Sequence, residues 1–301
     1  MTKIAIISDV HANSDALRLV LNDIEKRGVD KIVCLGDIVT KYYYPKDSVD
    51  IIRANSDIVV KGNCDDHVAT NENYRWARGQ LGMDRIEYLN NLPVKQQLML
   101  GKVLINFYHS NPRELEWMFN PLFKDNDKTS YKDKTIKDYN EMFPTDAPQK
   151  SIVGHTHMAY IGKEKEGKLE VTDYNDLEKK IILPTDRAII NAGSAGEANS
   201  LKVLDNGKLD SSILPYLTYL IIDDANLRNG FNAQIIKVPY KETLKKVFVD
   251  SIANQKAGNF PYSPNDTRRI GTNIIRQNPG DEELRSQVEN SIEELNKIKR
   301  K

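Results

Sequence analysis

Five times in this chain a short apolar run ends and the residues that follow are side chains able to bind a metal. Lys3–Ser8 leads into Asp9-Val10-His11, Lys31–Leu35 into Gly36-Asp37, and Asp57–Lys61 into Gly62-Asn63-Cys64-Asp65. Val103–Tyr108 leads into His109, and Ser151–Val153 into Gly154-His155-Thr156-His157. Such short β-branched runs read as strands buried on both faces. Helical spacing fills the gaps between the first three: Leu17, Val20, Leu21 and Ile24 with Gly28 as the stop, then Val49, Ile51 and Ile52 after Pro45. Alternating strand and helix predicts a βαβ crossover sheet, in which function gathers beyond the carboxyl ends of the strands. The five polar segments are then expected to open on one edge.

The remainder is less regular. Arg75–Pro93 reads as helix with short turns, and Phe123–Lys150 as a polar, Lys/Asp-rich surface excursion. Charged turns between apolar runs in Lys163–Asn191 predict antiparallel hairpins, and Tyr219–Asp223 and Ala233–Val238 predict two further strands. The main domain is expected over 1–257, with an Asn/Pro/Gly-rich connector over 258–280. In 281–301, Leu284, Val288, Ile292, Leu295 and Ile298 recur at helical spacing, with acidic residues leading and basic ones trailing. That amphipathic helix packs on its own domain or joins copies into a homo-oligomer.

Composition excludes several classes. The 43 basic and 43 acidic side chains cancel, which removes the broad attraction that general nucleic-acid and anionic-membrane binders use. No apolar run approaches the roughly 20 residues of a membrane span. The opening MTKIAIISDVHANSD has no small-residue cleavage site and reads as a buried strand rather than a secretory signal. With only Cys34 and Cys64 there is no disulfide framework, so a cytoplasmic location is expected.

Meeting at one edge, the five segments would bring together Asp9, His11, Asp37, Asn63, His109, His155 and His157: four imidazoles, two carboxylates and an amide. That exceeds one tetrahedral site and suits two ions sharing a carboxylate. Mixed nitrogen and oxygen donors favour manganese, iron or zinc over calcium or magnesium.

The order D-x-H, GD, GN-x-D, H and GHTH resembles the calcineurin-like metallophosphoesterase superfamily. Trp76 and Leu81 before Tyr88-Leu89 and Leu92-Pro93, and the later Asn191-Ala192-Gly193-Ser194, extend the resemblance over about Met1–Pro239. They point to its bacterial and archaeal phosphodiesterases and the relatives of diadenosine tetraphosphatases. The resemblance implies an α/β four-layer sandwich, two β-sheets flanked by helices, here with an added C-terminal helix. It implies two divalent transition-metal ions, manganese first, with iron, zinc and nickel as alternatives. Asp9, His11 and His157 would bind one ion, Asn63, His109 and His155 the other, and Asp37 both. A hydroxide between the ions would attack a small phosphoester, of diester or nucleotide type, in line and without a covalent enzyme intermediate. A phosphomonoesterase or protein phosphatase on the same site is the alternative, and a catalytically inactive protein-binding scaffold is a third reading.

The catalytic set expected from this is Asn63, Cys64, Asp65 and His67. Many members of the superfamily carry His where this chain has Cys64; two nearby cations would favour its thiolate, a poor proton donor. His67, the one histidine outside the motifs, is then a substitute acid. Arg113, shortly after His109, is a candidate phosphate clamp. Tyr42, in the run Tyr42-Tyr43-Tyr44, is a candidate for stacking on a nucleobase or aryl group.

Overall fold

Strand β1 (Lys3–Ile7) is buried on both faces, and each face meets a different partner layer. Ile4 and Ile6 point to one side, where they pack with Val33, Leu35, Ile105, Phe107, Ile152, Ile190, Leu220 and Ile222. Ala5 and Ile7 point to the other, against Leu17, Val20 and Ile24 of helix α1 (Ser14–Lys26) and Val49 and Ile52 of helix α2 (Pro45–Asn55). Each buried Ile, Leu, Val or Phe among them contributes about 1.5–3 kcal/mol relative to exposure. The period of two along the strand therefore demands a second sheet on one side and helices on the other.

The computed structural model describes residues 1–116, 141–143, 149–165, 168–172, 179–183, 187–197, 216–225, 231–259, 271, 274–275 and 282–298. The first sheet has the order β3-β2-β1-β11-β12-β9, with β2 at Lys31–Cys34, β3 at Ile58–Val59, β9 at Ile181–Leu183, β11 at Leu217–Asp223 and β12 at Phe231–Val238. The second has the order β4-β5-β6-β10-β7-β8, with β4 at Lys95–Leu100, β5 at Val103–Tyr108, β6 at Gln149–Val153, β7 at Tyr160–Lys165, β8 at Lys168–Val171 and β10 at Ala188–Asn191. Both sheets are mixed. β1, β2 and β3 run parallel in the first, and β5, β6 and β10 in the second. The strands outside these two triplets pair antiparallel. Helices α3 (Asn63–Thr70) and α4 (Arg75–Asn91, interrupted at Gly82) complete the helical layer on the first sheet, together with α5 (Lys241–Lys256) and α6 (Glu282–Ile298). The four-layer α/β expectation holds.

Several elements depart from the sequence reading. β4 opens with the polar Lys95-Gln96-Gln97 and leaves most of its side chains exposed at the sheet edge, so only Leu98 and Leu100 mark it. Helix α5 follows β12 where no element was anticipated. β3 is shorter than Asp57–Lys61, because the Lys61 amide turns away to the Pro93 carbonyl at 2.8 Å. β6 starts before Ser151: Gln149 and Lys150 are buried, Gln149 Oε1 accepting from Asn106 Nδ2 at 2.8 Å and the Lys150 ammonium lying over the Phe231 ring. Most of the expected excursion at Phe123–Lys150 lies outside the described residues, but Met142 and Phe143 are buried against the second sheet, not on the surface.

The apolar stripe of α6 is used within the chain. Val288 is 1% exposed, and Leu284 and Ile292 pack against the cluster that includes Phe248 of α5. Lys256 pairs with Glu294 at 2.6 Å. The side chains of Leu295 and Ile298 lie outside the described residues, as does most of the 258–280 connector. Within that connector, Gly271 sits so close to Val288, Ile292 and Phe248 that a Cβ would crowd all three, and Ile274 is buried in the same cluster.

Candidate metal centre

Three parallel strands from each sheet end at a common edge, and their loops are sewn together there. The Asp9 amide donates to the Gly36 carbonyl at 3.0 Å, the Gly154 amide to His109 at 2.9 Å, and the Ala192 amide to Val153 at 2.9 Å. Bonds between the sheets close the edge: His155 N donates to Asp9 Oδ2 at 3.0 Å, and Ser194 Oγ to the Asp9 carbonyl at 2.8 Å. The loops after β2 and β3 approach so closely that a Cβ on Gly36 would strike the Gly62 backbone, and one on Gly62 would strike Asp37. Asp65 lies behind this contact, fully buried, and accepts from the amides of Ile38 (2.9 Å) and Gly62 (3.0 Å). It clamps the two loops; burial and the neighbouring Asp37 charge raise its pKa to about 7.

All seven residues expected at the strand ends converge, in two groups. In the first, His11 Nε2 and His157 Nε2 face each other at 2.9 Å, with Asp9 Oδ1 3.2 Å from His157 Nε2. In the second, His109 Nε2 lies 3.1 Å from Asn63 Oδ1 and 3.2 Å from His155 Nδ1. Asp37 joins them: Oδ2 lies 3.7 Å from His11 Nε2, and Oδ1 lies 3.4 Å from His109 Nε2. Cys64 also comes within ligand distance of His11 and Asp37, at the start of α3, where its amide donates to Asp37 Oδ1 at 2.8 Å.

The outer nitrogens fix which way the imidazoles point their lone pairs. His109 Nδ1–H donates to the Leu35 carbonyl at 2.8 Å, His155 Nε2–H to the Glu116 carbonyl at 3.2 Å, and His157 Nδ1–H to Glu197 Oε2 at 2.9 Å. In their neutral forms these rings turn unprotonated nitrogens toward the cluster. Asp9 Oδ1 is buried without a hydrogen bond. Imidazole nitrogens about 3 Å apart beside an unbonded carboxylate oxygen, with a proton on His109 that a metal would displace, are the donor arrangement of a cation site. The donor set suits divalent cations.

Burial depresses the pKa of His11, His157 and His155, the last to about 4, so these rings are neutral at pH 7. His109 goes the other way: burial opposes its charge, but the Asp37 carboxylate outweighs it and raises the pKa to about 9. Burial also opposes ionisation of Asp9 and Asp37, yet the facing imidazoles hold both well below the usual carboxylate range. In the metal-free chain, burial and the Asp37 charge push the Cys64 thiol up.

Other sequence candidates fall elsewhere. Tyr42 is 4% exposed and packs in the helical-side core, so its ring is not offered to a ligand. Arg113 is 72% exposed and pairs with Glu141 at 3.6 Å, a surface ion pair rather than a clamp. His67 stands next to the cluster: its Nε2 lies 2.7 Å from Glu116 Oε1, and Glu116 is the residue whose carbonyl orients His155. A cavity of about 570 Å³ between α1 and α2, lined by Arg18, Asn22, Lys31 and Asp57, contains none of the seven residues.

Two residues were missed. Glu197, 1% exposed, binds His157, and Lys41 Nζ lies 2.8 Å from Glu197 Oε2 and 3.5 Å from His157 Nε2. Glu197 ends the run Asn191-Ala192-Gly193-Ser194-Ala195-Gly196 as its one acid, which was the available signal. Lys41 stands beyond the GD motif with nothing in its spacing to mark it.

The site's geometry agrees with comparison to known proteins. Residues 2–204 match the model of the calcineurin-like phosphoesterase superfamily domain. An uncharacterised protein of Methanocaldococcus jannaschii is 31% identical over 266 residues, covering 84% of this chain and 93% of its own. The crystal structure of a metallophosphoesterase from Sphaerobacter thermophilus shares the fold, with TM-score 0.60 and 24% identity over 91% of this chain and 99% of that one. A hypothetical protein from Pyrococcus horikoshii does so with TM-score 0.58 and 16% identity, over 90% and 97%. The matched span contains the ends of β1, β2, β3, β5 and β6, and with them all seven converging residues; this chain belongs to the calcineurin-like phosphoesterase superfamily.

Proposed function

We propose that this chain is a dinuclear metal-dependent phosphoesterase acting on a small phosphodiester or nucleotide-type substrate. The observation that carries the reading is Asp37, whose two carboxylate oxygens face two separate groups of ligand atoms. Asp9, His11 and His157 would hold one ion, and Asn63, His109 and His155 the other. Two such cations, manganese by preference, supply a water nucleophile at neutral pH and neutralise charge developing on the phosphoryl group. The chain supplies the rest. Asp65 holds the Asp37 and Asn63 loops in register, and the outer hydrogen bonds fix each imidazole for its ion. Cys64 opens α3 where many members of the superfamily carry His, and it is a poor proton donor both as the neutral thiol that burial favours in the metal-free chain and as the thiolate that two cations would favour. That supports a substrate whose leaving group needs little protonation, such as an aryl oxide or a nucleotide phosphate, over a phosphoprotein. His67, one residue removed from the cluster through Glu116, would give a proton where one is needed.

Both cysteines are free, which suits a reducing cytoplasm, and no helix among the described residues is long and apolar enough to cross a membrane. The test is hydrolysis of bis-aryl against mono-aryl phosphate with added manganese. Faster turnover of the diester supports the reading; turnover of the monoester alone transfers the site to phosphomonoesters.

A further inference from the structure

Among the described residues, eight other than glycine take a positive φ: Asp9, His11, Ala12, Asp37, Thr40, Lys41, His155 and His157. The left-handed region costs such residues of the order of 1 kcal/mol or more and collects at working sites. Five of the eight are in the converging set. Thr40 (φ 76°) and Lys41 (φ 61°) spend the same strain on a residue to which no role is assigned. Their loop is laced to the one after β1, with Tyr42 N donating to the His11 carbonyl and Tyr44 N to the Ala12 carbonyl, both at 3.0 Å. The backbone thereby turns Lys41 toward the metal centre.

We propose that Lys41 is a substrate-binding residue, its ammonium contacting an anionic oxygen of the phosphoryl group beside the ion held by His157. Glu197 Oε2 fixes the ammonium at 2.8 Å, and that carboxylate is itself buried. His157 Nε2, the nitrogen turned to the cluster, lies 3.5 Å from the same ammonium, too far for a good hydrogen bond. An ammonium has three donors, and Glu197 takes one. Its side chain is 27% exposed, so it borders the cluster from the solvent side, where substrate arrives. A fixed ammonium beside a nitrogen that binds a divalent ion places two cations side by side, and an anionic oxygen between them relieves the repulsion. The phosphoryl oxygens supply that anion. The competing role for Lys41 is as a counter-ion that only holds Glu197.

This inference rests on the phosphoesterase reading, and the test separates the two. Full-length protein loaded with manganese is titrated with inorganic phosphate by calorimetry, alongside Lys41→Met and Lys41→Arg, with bound manganese measured for each. Lys41→Met is expected to keep wild-type manganese and to bind phosphate about tenfold or more weaker, as for loss of a charge-assisted bond. Lys41→Arg is expected to recover affinity to within about threefold. Wild-type phosphate affinity in Lys41→Met overturns the proposal. So does loss of manganese in parallel with phosphate, which assigns Lys41 the counter-ion role, and so does a wild-type protein that binds no phosphate. Lys41-dependent phosphate binding in a protein that hydrolyses no phosphoester leaves this contact standing and removes the phosphoesterase reading.

Discussion

Glu197 Oε2 accepts from His157 Nδ1 at 2.9 Å, so a carboxylate buried on the second sheet's final loop orients an imidazole contributed by another loop of the same sheet. It also pins the neutral tautomer of that imidazole with Nε2 free for the cluster. Such outer carboxylates commonly change metal affinity by about 10–100-fold. Glu197→Gln is therefore expected to weaken manganese binding by at least tenfold while the protein stays folded. Competition with a fluorescent chelator measures this, and unchanged affinity removes Glu197 from the metal centre.

The raised pKa of His109 sets the sign of the pH dependence expected for metal loading. Its pKa of about 9 lies above the ordinary 6.5, so the metal-free chain carries a proton that a metal must displace. Affinity for manganese is expected to climb about tenfold per pH unit from about 7 and to level near 9. The other imidazoles, with lowered pKa values, do not titrate in that window. By linkage, the raised pKa stabilises the metal-free fold below about pH 6.5, and this contribution fades as pH rises through 9. Calorimetry in buffers of different ionisation enthalpy is expected to show close to one proton released per chain at pH 7.5. Loading without proton release contradicts the assignment.

His67 can be separated from a surface histidine by leaving-group dependence. General acids contribute about 10²–10⁴-fold where the leaving group is poor and little where it is good. His67→Ala is expected to slow an alkyl phosphoester by about a hundredfold and to leave a bis-nitrophenyl ester within about twofold. Equal rates on both esters and an unshifted pH profile exclude it from proton transfer.

The seven converging residues were legible because each follows a strand whose apolar run is unambiguous, and because a turn must follow each run. Residues that act through a partner were not. Lys41 and Glu197 meet across a sequence separation of 156, and the left-handed backbone that aims Lys41 leaves no mark on residue type. Tyr42 misled for the reverse reason: an aromatic side chain beside a site motif fits stacking and packing equally well, and only burial separates them. In the fold, β4 was hidden by its polar exposed edge and β6 lost its first residues because Gln149 and Lys150 are buried polar groups. The stripe of α6 was visible, but a stripe does not say that Val288 meets the cluster holding Phe248 of α5.

Asp37, with an oxygen toward each group of ligand atoms, is proposed to be shared between two ions. The direct test is the manganese content of wild-type protein and Asp37→Asn, measured by elemental analysis with turnover of bis-nitrophenyl phosphate on the same samples. Two manganese ions per wild-type chain are expected, and in Asp37→Asn loss of both ions together with at least a thousandfold drop in turnover. An Asp37→Asn protein that keeps two ions and wild-type turnover, or a wild-type protein that binds almost no manganese, contradicts the sharing.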